Sequence, residues 1–384
     1  MIMNFKINIA KTAALALMSL AAVGCSDWTE PESNVILDAD LTNPNKPESY
    51  YEAIRAYKAT DHAISFGWYS GWQEPSLAMT GMLSQLPDSM DMISLWDNAT
   101  GLSQAKIDDL RNVQQKKGTK VLMCTFIQYI GKGFTPKEHD SNDADRKAFW
   151  GWPANDADYQ TNPETEAAIK ESMVKYAQAI SDTIHKYGYD GLDIDFEPNV
   201  DGFRGHLDEN PTFVEWFLTI LKDYLGPQSD SGKMLVIDGE VYNLPAMTSP
   251  YFDYYIAQAY SVSGGTPSPN AGQSESDMER RLSQIVSRYA SYMTEEEVTN
   301  RFIVTENMES AINALDGGYY WTTRDGVRQD KKVCPSLLGM AKWEPANGFR
   351  KGGFGGYRFD AEAVNTPPYK WMRAGIQAQN PAQN

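Results

Sequence analysis

Asp190-Gly191-Leu192-Asp193-Ile194-Asp195-Phe196-Glu197 is the stretch that decides the fold and points to the chemistry. Side chains along a β-strand alternate between two faces. Asp193, Asp195 and Glu197 therefore share one face, and Leu192, Ile194 and Phe196 the other. The apolar face suits packing beneath helices, which turns the acidic face into the interior of a closed sheet. Carboxylates held side by side raise one another's pKa. At least one is expected to keep its proton near neutral pH, as a group that protonates a leaving atom must. A metal site would favour more dispersed ligands, and the chain has only 4 His.

Working outward, short apolar or β-branched runs between turn residues predict seven more strands. They are His62 to Trp68, Asp91 to Trp96, Lys120 to Ile127, Met234 to Asp238, Tyr255 to Tyr260, Phe302 to Glu306 and Gly353 to Phe359, with Gly191 to Glu197 fourth in order. A period of 3.6 predicts helices over Ser103 to Lys117, Pro163 to Tyr187, Thr212 to Leu225, Met278 to Tyr289 and Tyr369 to Gln379. Eight strands alternating with helices predict an α/β fold, a (β/α)8 TIM barrel forming a single catalytic domain over 49–384. An open doubly wound sheet needs a glycine-rich turn after an early strand, and none is present. The connections Gln128 to Asn162, Ser261 to Ser274 and Asn307 to Gly352 are too long to be simple links. They follow the third, sixth and seventh strands, so they are expected at the C-terminal face, where barrel active sites form.

The chain carries 34 Lys+Arg against 51 Asp+Glu, a net charge of −17. No basic stripe is present, which argues against a nucleic-acid partner. With 42% hydrophobic and 22% charged residues the composition is that of a globular chain. The 10 Trp and 21 Tyr can stack on sugars as readily as they fill a core. Lys6 and Lys11, the apolar run Ala13 to Met18, and Ala22-Val23-Gly24-Cys25 predict a signal peptide over 1–24. Its apolar run is short for a membrane span. Residues 25–48 read as a linker. Cys124 sits in the apolar run Val121 to Phe126 and reads as a buried strand residue; with Cys334 it does not indicate a disulfide scaffold.

The octapeptide resembles the Asp-x-x-Asp-x-Asp-x-Glu signature of glycoside hydrolase family 18, matched by Asp190, Asp193, Asp195 and Glu197. The resemblance implies that the signature ends the fourth strand of a (β/α)8 barrel. It implies Glu197 as general acid/base and Asp195 as the group orienting the substrate's 2-acetamido group, with Asp193 sharing charge or a proton with Asp195. It also implies substrate-assisted retention, in which the N-acetyl oxygen is the nucleophile. In Gln258-Ala259-Tyr260, Tyr260 matches the tyrosine that bonds the acetamido carbonyl in that family. Many chitinases have Met at the position of Gln258, whereas several endo-β-N-acetylglucosaminidases have Gln, which favours N-glycan cores over chitin. Asp238 and Glu240 end the fifth strand on a shared face and Glu306 ends the seventh, making all three candidate sugar contacts. Trp343, Tyr357 and Arg358 are candidates for the floor or wall of the sugar site. Lys351 to Asp360 resembles the eighth strand of surface endoglycosidases of Bacteroides-like bacteria.

Cys25 after Gly24 resembles the lipidated cysteine of bacterial lipoproteins, and Ser26 to Glu30 the acidic stretch of surface-exported ones. The implied protein is a monomeric outer-membrane lipoprotein on the cell surface, held to the membrane by its lipid alone. It would need no cofactor or metal. Its partners would be N-glycans on glycoproteins or N-acetylglucosamine oligomers. A chitinase or other endo-hexosaminidase is the alternative enzyme, and no carbohydrate-binding module is recognisable to serve crystalline chitin. A non-catalytic glycan-binding barrel is the third reading, which the presence of Glu197 disfavours.

Overall fold

The apolar and β-branched runs form strands, numbered in chain order as β1 Ile64–Tyr69, β2 Met92–Leu95, β3 Lys120–Phe126, β4 Gly191–Phe196, β5 Met234–Gly239, β6 Tyr254–Gln258, β7 Gly272–Ser274, β8 Phe302–Asn307, β9 Tyr320–Thr322 and β10 Gly353–Tyr357. The structure is a computed structural model that describes residues 46–75, 81–96, 100–262, 268 and 270–381. Eight of these strands close into a parallel barrel in the order β1-β10-β8-β6-β5-β4-β3-β2, and β7 pairs with β9 in a separate two-stranded sheet. The predicted barrel is thus the observed one. Its eight strands match the eight expected runs to within two residues at either end.

Helices fill the gaps between strands. The longest, Pro163–Tyr187, begins with Asn162 accepting from the Glu164 backbone N–H and Pro163 in the first turn, and it ends at Gly188 with φ of 68°. Such a start and stop satisfy the end groups that a helix leaves unpaired. Ile169, Met173, Tyr176, Ile180 and Ile184 are its buried stripe. Several elements escaped the sequence reading. Glu48–Lys58 is a helix that starts where the linker was expected to end. Asp143–Trp150 lies inside the first long connection, and Ala311–Asp316 and Ser336–Lys342 inside the third. The expected helix Ser103 to Lys117 is α-helical over Gln104–Asn112 and a wider π-turn over Val113–Lys117.

Two apolar layers hold the barrel. The inner one is Ile64, Phe66, Trp68, Met92, Leu122, Val236, Ile256 and Ile303. The outer one joins Leu192, Ile194 and Phe196 of β4 to the helices, among them Ile169, Met173 and Ile180. The strands approach closely where glycine permits: a Cβ at Gly355 would lie 2.3 Å from the Phe66 carbonyl oxygen. Each fully buried aliphatic or aromatic side chain contributes roughly 1.5–3 kcal/mol by leaving water. Polar groups that interrupt the inner layer therefore cost stability. No helix among the described residues is long and apolar enough to cross a membrane. Residues 1–24, Cys25 and most of the expected linker lie outside the described residues.

Candidate active site

The inner layer turns acidic on β4 and β5. Asp193, Asp195 and Asp238 point inward and are at most 1% exposed. Asp195 and Asp238 are register partners across β4 and β5, and Phe126 is the partner of Asp195 on β3. Glu197, one residue past β4, is half-buried at the mouth. This is the alternation read from the octapeptide, with Leu192, Ile194 and Phe196 facing the helices.

Each carboxyl has a distinct setting. Trp68 Nε1–H donates to Asp193 Oδ2 at 2.9 Å, while Asp193 Oδ1 meets no partner. Burial pushes the Asp193 pKa up to about 6. Asp195 is driven well above the usual carboxylate range by burial, then by the charges of Glu197 and Asp193. Asp238 lies near enough to temper that rise, yet neither oxygen of Asp195 meets a donor in hydrogen-bond geometry. Gln258 Nε2–H donates to Asp238 Oδ1 at 2.9 Å, leaving Asp238 Oδ2 unpaired. Asp238 too is raised well above its ordinary value by burial and by Asp195 and Asp193. Glu197 is raised by burial and by repulsion from Glu240, against a hydrogen bond from Gln258 that favours its charged form. The amide of Gln258 thus serves both Asp238 and Glu197. Like charges in one dry space cannot all ionise, so the cluster holds protons at neutral pH.

Tyr260 follows β6, its ring centroid 5.9 Å from that of Tyr357, which in turn lies 6.1 Å from Trp68. Burial and the nearby Asp238 push the Tyr260 phenol well up, keeping it a hydrogen-bond donor. Glu240 stands at the rim, where Oε2 accepts from the Asn199 backbone at 3.0 Å and from its side chain at 2.9 Å, joining the loops after β4 and β5. Asp193, Asp195, Glu197, Asp238, Glu240, Gln258, Tyr260 and Tyr357 are therefore gathered at the C-terminal mouth.

Two expected contacts are corrected. Glu306 faces outward on β8, since Ile303 is the inward residue. It is fully buried and accepts from the Ser261 backbone N–H at 2.9 Å and the Asn307 N–H at 2.8 Å, so it anchors the chain leaving β6 and does not line the mouth. Trp343 lies at the opposite end of the barrel. It ends the helix Ser336–Lys342, stacks edge-on to Phe302 at the start of β8, and its Nε1–H donates to Glu279 at 3.1 Å. Arg358 turns to Glu309, with Nη1 at 3.0 Å from Oε1.

Trp68, Ser94, Trp96, Cys124 and Phe126 complete the mouth and its base, and the sequence reading did not assign them there. Applying the same alternation to β1, β2 and β3 would have found them. Cys124 Sγ lies within 4.8 Å of oxygens of Asp193 and Asp238, a donor trio with the spacing of a cation site. Burial pushes Cys124 and Asp238 well toward their protonated forms, which do not ligate metals. A second cavity, about 410 Å³, opens beside the loop after β4, lined by Asn199, Arg204, Asp208, Glu209 and Asn243.

Comparison with known proteins places this geometry. The family description "Glycoside hydrolase family 18, BT1044-like" matches residues 29–378. Endo-β-N-acetylglucosaminidase F2 of Elizabethkingia meningoseptica is 25% identical over 346 residues, covering 85% of this chain and 84% of that one. A solved structure of BT1044, a selenomethionine form with a glutamate-to-glutamine substitution, superposes with a TM-score of 0.69 at 28% identity over 88% of this chain and 94% of that one. The endo-β-N-acetylglucosaminidase of Cordyceps militaris shares the fold, with a TM-score of 0.55 at 20% identity over 88% of this chain and 97% of that one. With an inward row of carboxyls on the fourth strand and a family match running the length of the barrel, the chain belongs to glycoside hydrolase family 18, in its BT1044-like group.

Proposed function

We propose that this glycoside hydrolase is an endo-β-N-acetylglucosaminidase that cuts the β-1,4 bond between the two core N-acetylglucosamines of N-glycans, with retention. The observation that carries the reading is Asp195, buried with both oxygens unpaired beside a raised Glu197. An unpaired buried carboxyl is costly, and a donor from the substrate removes that cost. The N–H of a 2-acetamido group is such a donor, positioned to turn its carbonyl oxygen toward the anomeric carbon.

In this mechanism Glu197 gives its proton to the glycosidic oxygen as the bond to C1 breaks. The acetamido oxygen closes on C1, and Asp195 stabilises the resulting positive oxazolinium. Tyr260 donates to the acetamido oxygen and orients it. Glu197, now a carboxylate, takes a proton from water as that water attacks C1 and reopens the ring. Asp193 shares charge with Asp195, and Gln258 holds Glu197 and Asp238 in place. The substrate supplies the nucleophile, so no second carboxylate attacks.

Gln258 and the likeness to endo-β-N-acetylglucosaminidase F2 of Elizabethkingia meningoseptica favour N-glycan cores over chitin. The leader and Cys25 support an outer-membrane lipoprotein displayed on the cell surface; loss of lipid labelling in Cys25→Ser tests that part. The test of the activity is mass spectrometry of glycoproteins and of chitin oligomers after incubation with the protein. One N-acetylglucosamine left on each glycosylated Asn supports the reading. Cleavage of the oligomers alone replaces it with a chitinase, and no cleavage of either replaces it with a glycan-binding barrel.

A further inference from the structure

Four aromatic contacts lead from the acidic cluster to the surface. Tyr260 neighbours Tyr357 at 5.9 Å between centroids, Tyr357 neighbours Trp96 at 5.6 Å, Trp96 neighbours Phe126 at 5.5 Å, and Phe126 neighbours Phe203 at 5.4 Å. Tyr357 ends β10, Trp96 follows β2, Phe126 ends β3, and Phe203 sits in the loop after Glu197. Trp96 and Phe126 are half-buried, and Phe203 is 40% exposed. The planes of Trp96 and Phe126 meet at 74° and those of Phe126 and Phe203 at 34°, so the wall offers both ring faces and ring edges.

The other wall of the mouth is built from Glu197, Glu240 and Gln258, which accept and donate hydrogen bonds. A barrel mouth with aromatic rings on the β10, β2 and β3 side and hydrogen-bonding groups on the β4, β5 and β6 side matches a pyranose, which has an apolar C–H face and a polar rim of hydroxyls. The acidic cluster and the net charge of −17 disfavour an anionic sugar beside it. Phe203 lies outside the cluster that acts on the scissile bond. Phe203 extends the aromatic row from Phe126 out to solvent, and a contiguous exposed apolar patch of this kind marks a binding surface.

We propose that Trp96, Phe126 and Phe203 form an extended stacking wall for neutral hexose units attached to the disaccharide being cut. This inference rests on the endoglycosidase reading for the identity of that disaccharide. The wall makes cleavage depend on sugars beyond the bond itself, with Phe203 as its outermost contact.

The experiment compares kcat/KM on two substrates: an asparagine peptide bearing the trimannosyl chitobiose core, and the same peptide bearing chitobiose alone. In Phe203→Ala the ratio of the first to the second should fall about fivefold to tenfold, the loss of one stacking contact. Phe203→Tyr keeps a ring and should keep the ratio. A ratio within twofold of wild type in Phe203→Ala overturns the proposal, as does an equal fall of the ratio in Phe203→Tyr. If the wild type cuts neither peptide, the endoglycosidase reading fails on its own. The wall is then judged by titrating mannotriose into the wild type and following tryptophan fluorescence. Saturable quenching that Phe203→Ala weakens supports it, and no quenching in the wild type overturns it.

Discussion

Replacing Asp193 by Asn tests whether the acidic interior resists ionisation as its burial requires. Asp193 is fully buried, with Oδ2 held by Trp68 and Oδ1 unpaired. Burial moves its pKa from 3.8 to about 6. A shift of about two units, at about 1.4 kcal/mol each, makes ionising it in the fold roughly 3 kcal/mol harder than in the unfolded chain. The folded pKa lies above the unfolded one, so this stabilising contribution is fully present below the unfolded value and is lost as pH rises through the folded value. Asn cannot ionise and keeps a carbonyl oxygen for Trp68. Wild-type stability should therefore fall relative to Asp193→Asn between about pH 4 and about pH 6, then level off with the variant ahead by roughly 3 kcal/mol. Denaturant unfolding across this range reads the difference directly, provided the slopes match. A stability difference that stays constant with pH, or a wild type that gains on the variant, refutes the reasoning.

Gln258→Ala removes the hydrogen bonds that favour the charged forms of Asp238 and Glu197. Glu197 should then hold its proton to higher pH, moving the alkaline limb of the kcat/KM profile upward, with kcat reduced; a limb moving downward contradicts the assignment. Trp343→Ala, far from the mouth, should lower stability by about 3–5 kcal/mol in denaturant unfolding while leaving initial rates of the folded protein within twofold.

The barrel was legible because each strand is a short apolar run and the octapeptide alternates without interruption. Inward and outward faces of β4 could be told apart because one is acidic. On β8 both faces are mostly apolar, so alternation alone did not say which way Glu306 points; burial of Ile303 in the inner layer decides it. Trp343 was misplaced for a different reason. Its connection was read as one loop at the C-terminal face, but the helix Ser336–Lys342 carries the chain back to the other end of the barrel before Trp343. The short helices themselves were hidden because tertiary packing sustains them more than any local period. Trp68 reaches the acidic base only through barrel closure, which sets β1 across from β4, whereas Cys124 lies beside Asp193 on the neighbouring strand β3.

We assign to Glu197 the proton that cleaves the bond between the two core N-acetylglucosamines. The direct measurement is the rate of glycan release from a glycoprotein by wild type and by Glu197→Gln, read by mass spectrometry, with binding of the intact glycopeptide measured on the same variant. The amide keeps the shape of the side chain but has no proton to give. Release should fall by at least about 10²–10⁴-fold while binding stays close to wild type. Release within a few-fold of the wild-type rate would contradict the account.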